Sequence, residues 1–413
     1  MRLLLISITA ILLACSGPKE DKKVGSQSGI PIQNGDWRFS LQLEKYELPF
    51  NVKFLNIGTD SARAIICNGE EELSSTYFSV GDNKIRIVLP VFDSELIGNI
   101  DSENLITGYW LNKSRKDYKI PFVAEYGKKF RFSPTLPSQE LPSRYRVVFE
   151  PNSTDKWDAI LMLNQENDQT TGTFLTETGD YRYLEGNIIN NKLYLSTFDG
   201  SHAFLFHADI KGDSLVNGEF ISGTHYSAEW KGKADKLFQL RRPQELTYLK
   251  DGYKHFDFRL PNQDGDTVTW DDLDLDNKVV IVDIMGSWCP NCMDANIALK
   301  ELTANYSSEE LVVIPIAFET TENLETAKTK VFKMQNDLGL ENRFLFGGFV
   351  SKEKAAETFP MLNHVMSYPT LIFIGKDQEI KEIYTGFYGP GTGKYHEDFM
   401  LNTKNMLENL VND

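Results

Sequence analysis

Val279-Val280-Ile281-Val282-Asp283-Ile284-Met285, followed by Gly286-Ser287-Trp288-Cys289-Pro290-Asn291-Cys292, decides the fold. The first seven residues form an apolar run of strand length, β-branched in its first half. Such a run suits a strand buried on both faces of a parallel sheet. Gly286-Ser287 turns the chain. From Cys292 the spacing becomes helical, with Cys292, Ala295, Leu299 and Leu302 stepping along one face. The two cysteines therefore stand where a strand ends and a helix begins, and Pro290 is tolerated in the first helical turn.

Two cysteines separated by two residues serve metal binding or redox exchange. A zinc site needs four ligands, usually a second pair or a pair of histidines. The chain has four cysteines in all, and Cys15 and Cys67 stand alone, so no metal and no cofactor is expected. For redox exchange, the helix N-terminus favours negative charge on Cys289. A free thiol titrates near ~8.5, and thioredoxin-type sites bring it to about 7. That difference is worth about 2 kcal/mol and raises the thiolate fraction at neutral pH to about half. The thiolate attacks disulfides. Cys289 is thus the expected exposed nucleophile, and Cys292, one turn inward, the resolving thiol.

The stretch from Val282 to Cys292 resembles the active-site strand and loop of thioredoxin-like proteins, in particular the TlpA/ResA branch of bacterial envelope proteins. Ser367-Tyr368-Pro369-Thr370, followed by Leu371-Ile372-Phe373-Ile374, is a second match. In that fold a cis-proline precedes a core strand and lies beside the dithiol, where it helps bind substrate backbone. The resemblance puts Pro369 in that position, although only ~5–6% of X-Pro bonds are cis in general. It makes Trp288, Pro290, Tyr368 and Pro369 the substrate-binding set. It also assigns Asp283 proton transfer to or from Cys292. An unpaired buried carboxylate costs several kcal/mol or becomes neutral, and a raised pKa suits proton transfer near neutrality. One position departs from the pattern. TlpA/ResA proteins carry a glutamate three residues past the second cysteine and then a helix proline, where this chain has Ala295 and Ile297; Asp294 is expected on a different helix face.

Around this core, Leu311 to Phe318 reads as a second buried strand. Glu322 to Leu338 reads as a helix stopped by Gly339. Strands at 370–374 and 379–384 and a last helix near 399–411 complete a thioredoxin-like α/β domain over 252–413. The Thr385–Gly393 stretch is glycine-rich but lacks the Gly-Lys-Ser/Thr of a phosphate loop, and reads as a turn region.

Before it, 36–245 alternates in short strands with turn signals, as in Trp37–Leu43 and Lys84–Leu89, the pattern of an all-β sandwich or barrel. Val91-Phe92-Asp93 before Leu105-Ile106-Thr107-Gly108 is echoed by Thr197-Phe198-Asp199 before Leu215-Val216-Asn217-Gly218, the offset of an internal repeat over 36–126 and 142–235. His202, His207 and His225 lack ligand spacing and read as structural. Cys67 reads as a small buried hydrophobe.

Residues 1–14 have a basic start and a dozen mostly apolar residues, a signal peptide too short to span a bilayer. Leu12-Leu13-Ala14-Cys15 resembles a bacterial lipobox, which makes Cys15 the lipidated residue. Residues 15–35 read as a flexible tether. Ser16 after the cysteine leans toward the outer membrane, and the Lys19–Lys23 charge run loosely resembles export signals of surface lipoproteins.

The net charge of −16 argues against nucleic acid. With 12% aromatic residues and no low-complexity tract, the chain reads as globular, multidomain and organised as an N-terminal all-β domain plus a C-terminal α/β thioredoxin-like domain. The expected function is an envelope thiol-disulfide oxidoreductase that reduces disulfides of substrate proteins. Its expected partners are protein thiols and disulfides, an upstream membrane electron donor, and the membrane through the lipid anchor, which places it periplasm-facing or on the outer membrane. Two alternatives remain open. One is a peroxidase-like redoxin, although Gly286 stands where that signature needs Thr or Ser. The other is a surface binding protein whose β domain captures a ligand.

Overall fold

The computed structural model describes residues 29–135, 139–167 and 169–413. The expected signal peptide, Cys15 and most of the tether lie outside the described residues.

Nine antiparallel strands between Gly35 and Tyr126 form the first sheet. The strands alternate as read: Trp37, Phe39 and Leu41 of Gly35–Gln42 are fully buried. The two edge strands of the sheet, Glu71–Ser74 and Tyr77–Gly81, are consecutive in the chain. The sheet therefore curls until its edges approach. The Phe54 and Phe78 rings lie 5.0 Å apart across the curl, and an aromatic core fills it.

The strands from Arg144–Phe149 to Tyr226–Ala234 form the second β unit. Apart from the two-residue Gly179–Asp180, which pairs only with Gln169–Thr176, consecutive strands pair in antiparallel fashion, and the last returns to the first, with Tyr145 opposite Ala234 and Phe149 opposite Trp230. Trp157–Glu166 pairs with both Arg144–Phe149 and Gln169–Thr176, so the ring closes. The N-terminal region is thus all-β, and its second half is a closed barrel, which leaves no free sheet edge in the ring. Phe174, Phe206 and Trp230 fill its interior. Phe198 instead packs into the first unit's core, its ring stacked 4.2 Å from Phe50.

The C-terminal unit is a thioredoxin-like α/β domain. Its sheet runs Leu345–Phe349, Leu311–Glu319, Val279–Met285, Thr370–Ile374, Ile380–Thr385. The first three strands are parallel and the last two antiparallel. All seven residues of Val279–Met285 are buried, because helices cover both faces. On one face α1 (Pro290–Thr303) and α4 (Lys394–Asn412) bring Ala298, Leu299, Phe399 and Leu407 onto Val279 and Ile281. On the other, α2 (Leu324–Leu338) contributes Val331 and Met334, and α3 (Lys352–Thr358) contributes Ala355. Gly339 ends α2 in the left-handed region at φ 59°, as its position predicts. A hairpin of Arg259–Pro261 and Thr267–Thr269 precedes the sheet.

Candidate active site

The Val279–Met285 strand delivers the chain to the helix as the sequence implies. Cys289 is the N-cap of α1, and its sulfur accepts the backbone N–H of Cys292 at 3.3 Å. Its thiol donates to the Tyr368 carbonyl at 3.4 Å. The Tyr368–Pro369 peptide bond is cis. Two segments 80 residues apart in sequence, Cys289 and Pro369, thus meet at one sulfur. Both thiols are free. Cys292 is fully buried, and burial, reinforced by the neighbouring Cys289, pushes its thiol well above the ordinary range.

Asp283 is completely buried one layer below. Burial pushes its carboxyl up to about 7, against the opposing pull of a hydrogen bond from Asn296. Asn296 Nδ2 donates both to Asp283 Oδ2 and to the Cys292 carbonyl, each at 2.9 Å. The other carboxylate oxygen, Oδ1, is buried with no hydrogen-bond partner, which is costly for a charged group and tolerable for a neutral one. Trp288 is half-buried, its indole N–H donates to the Phe318 carbonyl at 2.9 Å, and its ring meets Tyr368 edge-on at 5.8 Å.

The exposed nucleophile expected from the sequence is not what the structure shows. Cys289 is only 7% exposed. The reason is the β region, which sits on the dithiol face. Val91 and Phe92, in the connection between the Lys84–Val88 and Ser94–Ser102 strands of the first sheet, share one apolar cluster with Cys289 and Cys292. Ser201 Oγ of the barrel donates to the Trp288 carbonyl at 3.2 Å. Arg182 Nη1 donates to the Pro290 carbonyl at 3.3 Å, so Pro290 is buried against the barrel. Cys67 is half-buried on the first sheet's Arg63–Asn68 strand, where its thiol points to the Ile65 carbonyl.

Three residues join the site that the sequence reading missed. Asn296 bridges Asp283 and α1, as above. Glu319, at the end of the neighbouring strand, accepts both the backbone N–H and the hydroxyl of Ser287, at 2.8 and 2.9 Å. Burial draws its carboxyl up to about 7. Its signal was a carboxylate directly after a buried apolar run. Arg182 gave no such local signal. Its guanidinium, almost wholly buried, meets Glu71 of the first sheet, Asp199 of the barrel and Asp294 of α1. Asp294 meets Arg182, while Ala295, at the position where the family pattern has a glutamate, is fully buried.

The glycine-rich stretch is part of the same contact. Gly386, at φ 78°, lies so close to Thr178 of the barrel that a Cβ would come within 2.5 Å of its backbone. Gly389 N–H donates to Asp180 at 2.6 Å, and Tyr388 donates its hydroxyl proton to the Thr176 carbonyl at 2.9 Å. Of the three histidines singled out, His202 meets Asp199 and His225 meets Tyr118, while His207 lies 3.4 Å from Glu219 with no hydrogen bond at either ring nitrogen.

Residues 252–383 match the model of the AhpC/TSA family. No curated protein matches the chain. Similar solved structures include a putative protein disulfide isomerase from Bacteroides thetaiotaomicron, 17% identical, which covers 39% of this chain and 92% of its own, with a TM-score of 0.29. A putative thiol:disulfide interchange protein DsbE from Chlorobium tepidum is 18% identical over 38% of this chain and 99% of its own, with a TM-score of 0.29. A thiol-disulfide oxidoreductase from Bacteroides fragilis is 18% identical over 36% of this chain and 99% of its own, with a TM-score of 0.27.

Proposed function

We propose that the chain is a thiol-disulfide oxidoreductase of the bacterial envelope, of the TlpA/ResA type, that reduces disulfides in substrate proteins through Cys289 and Cys292. The observation that carries this reading is the placement of the Cys289 sulfur. It caps a helix, accepts the Cys292 amide and lies against the carbonyl that precedes cis-Pro369.

In the reaction, the Cys289 thiolate attacks one sulfur of the substrate disulfide. A mixed disulfide forms and one substrate thiolate leaves. Asp283, as carboxylate, takes the proton of Cys292 through the buried space between them. The Cys292 thiolate then attacks Cys289 Sγ, the mixed bond breaks, and the second substrate thiolate leaves. The substrate gains two electrons and, with two protons, becomes a dithiol, while the protein holds a Cys289–Cys292 disulfide. A dithiol donor at the membrane restores the reduced pair by the reverse exchange. Tyr368, Pro369 and Trp288 bind the substrate backbone. The lipobox-like Leu12-Leu13-Ala14-Cys15 supports anchoring through lipid on Cys15, and among the described residues no helix is long and apolar enough to cross a membrane.

Insulin-disulfide reduction by the wild type and by Cys289→Ser tests the reading. Full activity in a folded Cys289→Ser protein rejects it. Equilibration with thiol buffers gives the direction, since a potential more negative than about −250 mV marks a reductant. The AhpC/TSA match favours a second reading, a peroxidase-like redoxin. Rapid peroxide consumption by the reduced protein would establish it in place of the first.

A further inference from the structure

A cavity of about 480 Å³ opens between the first sheet and the α/β domain, directly beside the dithiol loop. Ser287 and Trp288 form one wall, and Phe92 contributes an apolar patch. The size is that of a small-ligand or peptide-side-chain site. Its charge is unlike that of the rest of the chain. Arg115, Lys330 and Lys333 line it, against Asp93, in a protein whose net charge is −16. Lys333 is paired with Asp337 at 2.8 Å. Among the described residues Arg115 and Lys330 form no ion pair. Arg115 lies over the Tyr118 ring at 5.5 Å, and Lys330 donates to Thr320 Oγ1 at 2.9 Å, so both cations are held in place; Lys330 also favours the charged form of Glu319 without an ion pair between them. His202, tied to Asp199, completes that side. Glu319 is not among the lining residues: its buried carboxyl accepts two bonds from Ser287.

We infer that this cleft is the substrate-selecting site, and that it takes a disulfide flanked by carboxylates, held with its anionic groups on Arg115 and Lys330 and its apolar part on Trp288 and Phe92. This inference rests on the dithiol reading above. The two cations come from different units, Arg115 from the turn after the Leu105–Asn112 strand and Lys330 from α2. An anionic segment bridging them lies across the mouth of the dithiol loop. The favoured source is an acidic stretch of a protein substrate, because the cleft sets two cations from different units beside an apolar wall of Trp288 and Phe92, more contacts than one small anion fills. A small anionic disulfide shares the chemistry.

The test uses the full reduced protein and four disulfides: a cyclic peptide flanked by glutamates, its lysine-flanked counterpart, oxidised glutathione, and uncharged dithiodipyridine. We expect kcat/KM for the glutamate peptide to exceed that for the lysine peptide by about tenfold at low salt, and the ratio to shrink as salt screens exposed charges. In R115E/K330E, or in the milder R115Q/K330Q, the ratio falls toward one, through KM rather than kcat. Glutathione reduced as well as the glutamate peptide makes a small anion the source, and glutathione left behind makes it a protein segment; either supports the site. A ratio near one in the wild type, or one unmoved in both variants, overturns the inference while reduction of dithiodipyridine keeps the dithiol reading intact. Failure to reduce dithiodipyridine overturns both.

Discussion

Arg182 Nη1 of the closed barrel donates to Asp294 Oδ2 of α1 at 2.6 Å, and its other guanidinium nitrogens meet Glu71 and Asp199. One cation thus ties three segments, from both β units and the dithiol helix, at a buried point. Breaking a buried ion pair by removing one partner costs about 3–5 kcal/mol, because the remaining charges stay desolvated. Arg182→Met is expected to lose stability in that range by denaturant unfolding. It also loosens the barrel from α1, so Cys289 is expected to react with iodoacetamide faster than in the wild type. Adding Asp294→Asn to Arg182→Met recovers part of the loss; no recovery shows that the carboxylate is not the source of the cost.

The two cysteines have separable defects. Cys289→Ser removes the attacking sulfur and is expected to abolish insulin reduction. Cys292→Ser keeps the attack but removes the resolving thiol, so the mixed disulfide with substrate accumulates. Mass spectrometry of the intact protein reads the adduct. An adduct in Cys289→Ser instead reverses the two roles.

Asp283 links pH to stability. Its folded pKa, about 7, lies above the unfolded carboxylate value near ~3.9, so the folded state holds its proton longer. Between about pH 4 and 7 the unfolded chain binds fewer protons, and stability falls as pH rises through that window. The full penalty above pH 7 is at most about 4 kcal/mol, at ~1.4 per pKa unit. Glu319 adds a penalty of the same sign. Asp283→Asn is expected to be more stable than the wild type at pH 8 and no more stable at pH 4, by denaturant unfolding at both. It is also expected to slow release of the mixed disulfide, as stopped-flow measurement of the second step would show.

Gly386 combines a left-handed backbone, φ 78°, with the close approach of Thr178. Gly386→Ala meets both obstacles and is expected to cost about 1–3 kcal/mol. The effect belongs to the contact between the barrel and the α/β domain. A lowered Tm together with faster Cys289 alkylation would show this, and an unchanged Tm would show that the loop yields freely.

The parts legible in the sequence were the parts whose cause is local. A doubly buried parallel strand must be apolar throughout, so Val279–Met285 announced itself. Alternation marked Gly35–Gln42 and Lys84–Val88, because each buries an apolar face and turns polar residues the other way. Pro369 was reached through the resemblance of Ser367–Thr370 to the thioredoxin pattern rather than from its local sequence. The rest depends on residues that meet only after folding. Closure of the barrel rests on Tyr145 facing Ala234, which no short window records. The cover over Cys289 comes from Val91, Phe92, Arg182 and Ser201, distant in sequence and individually unremarkable. Nothing local to Glu71, Asp199 or Asp294 shows that Arg182 gathers them in the folded chain.

A sulfur so nearly enclosed has consequences for what can reach it. Random collisions with dissolved oxidants seldom find it, whereas a partner that docks in the correct pose is delivered to it. The housing therefore exchanges encounter frequency for selectivity. Under the proposed function, the same cover limits stray oxidation of the reduced pair between turnovers.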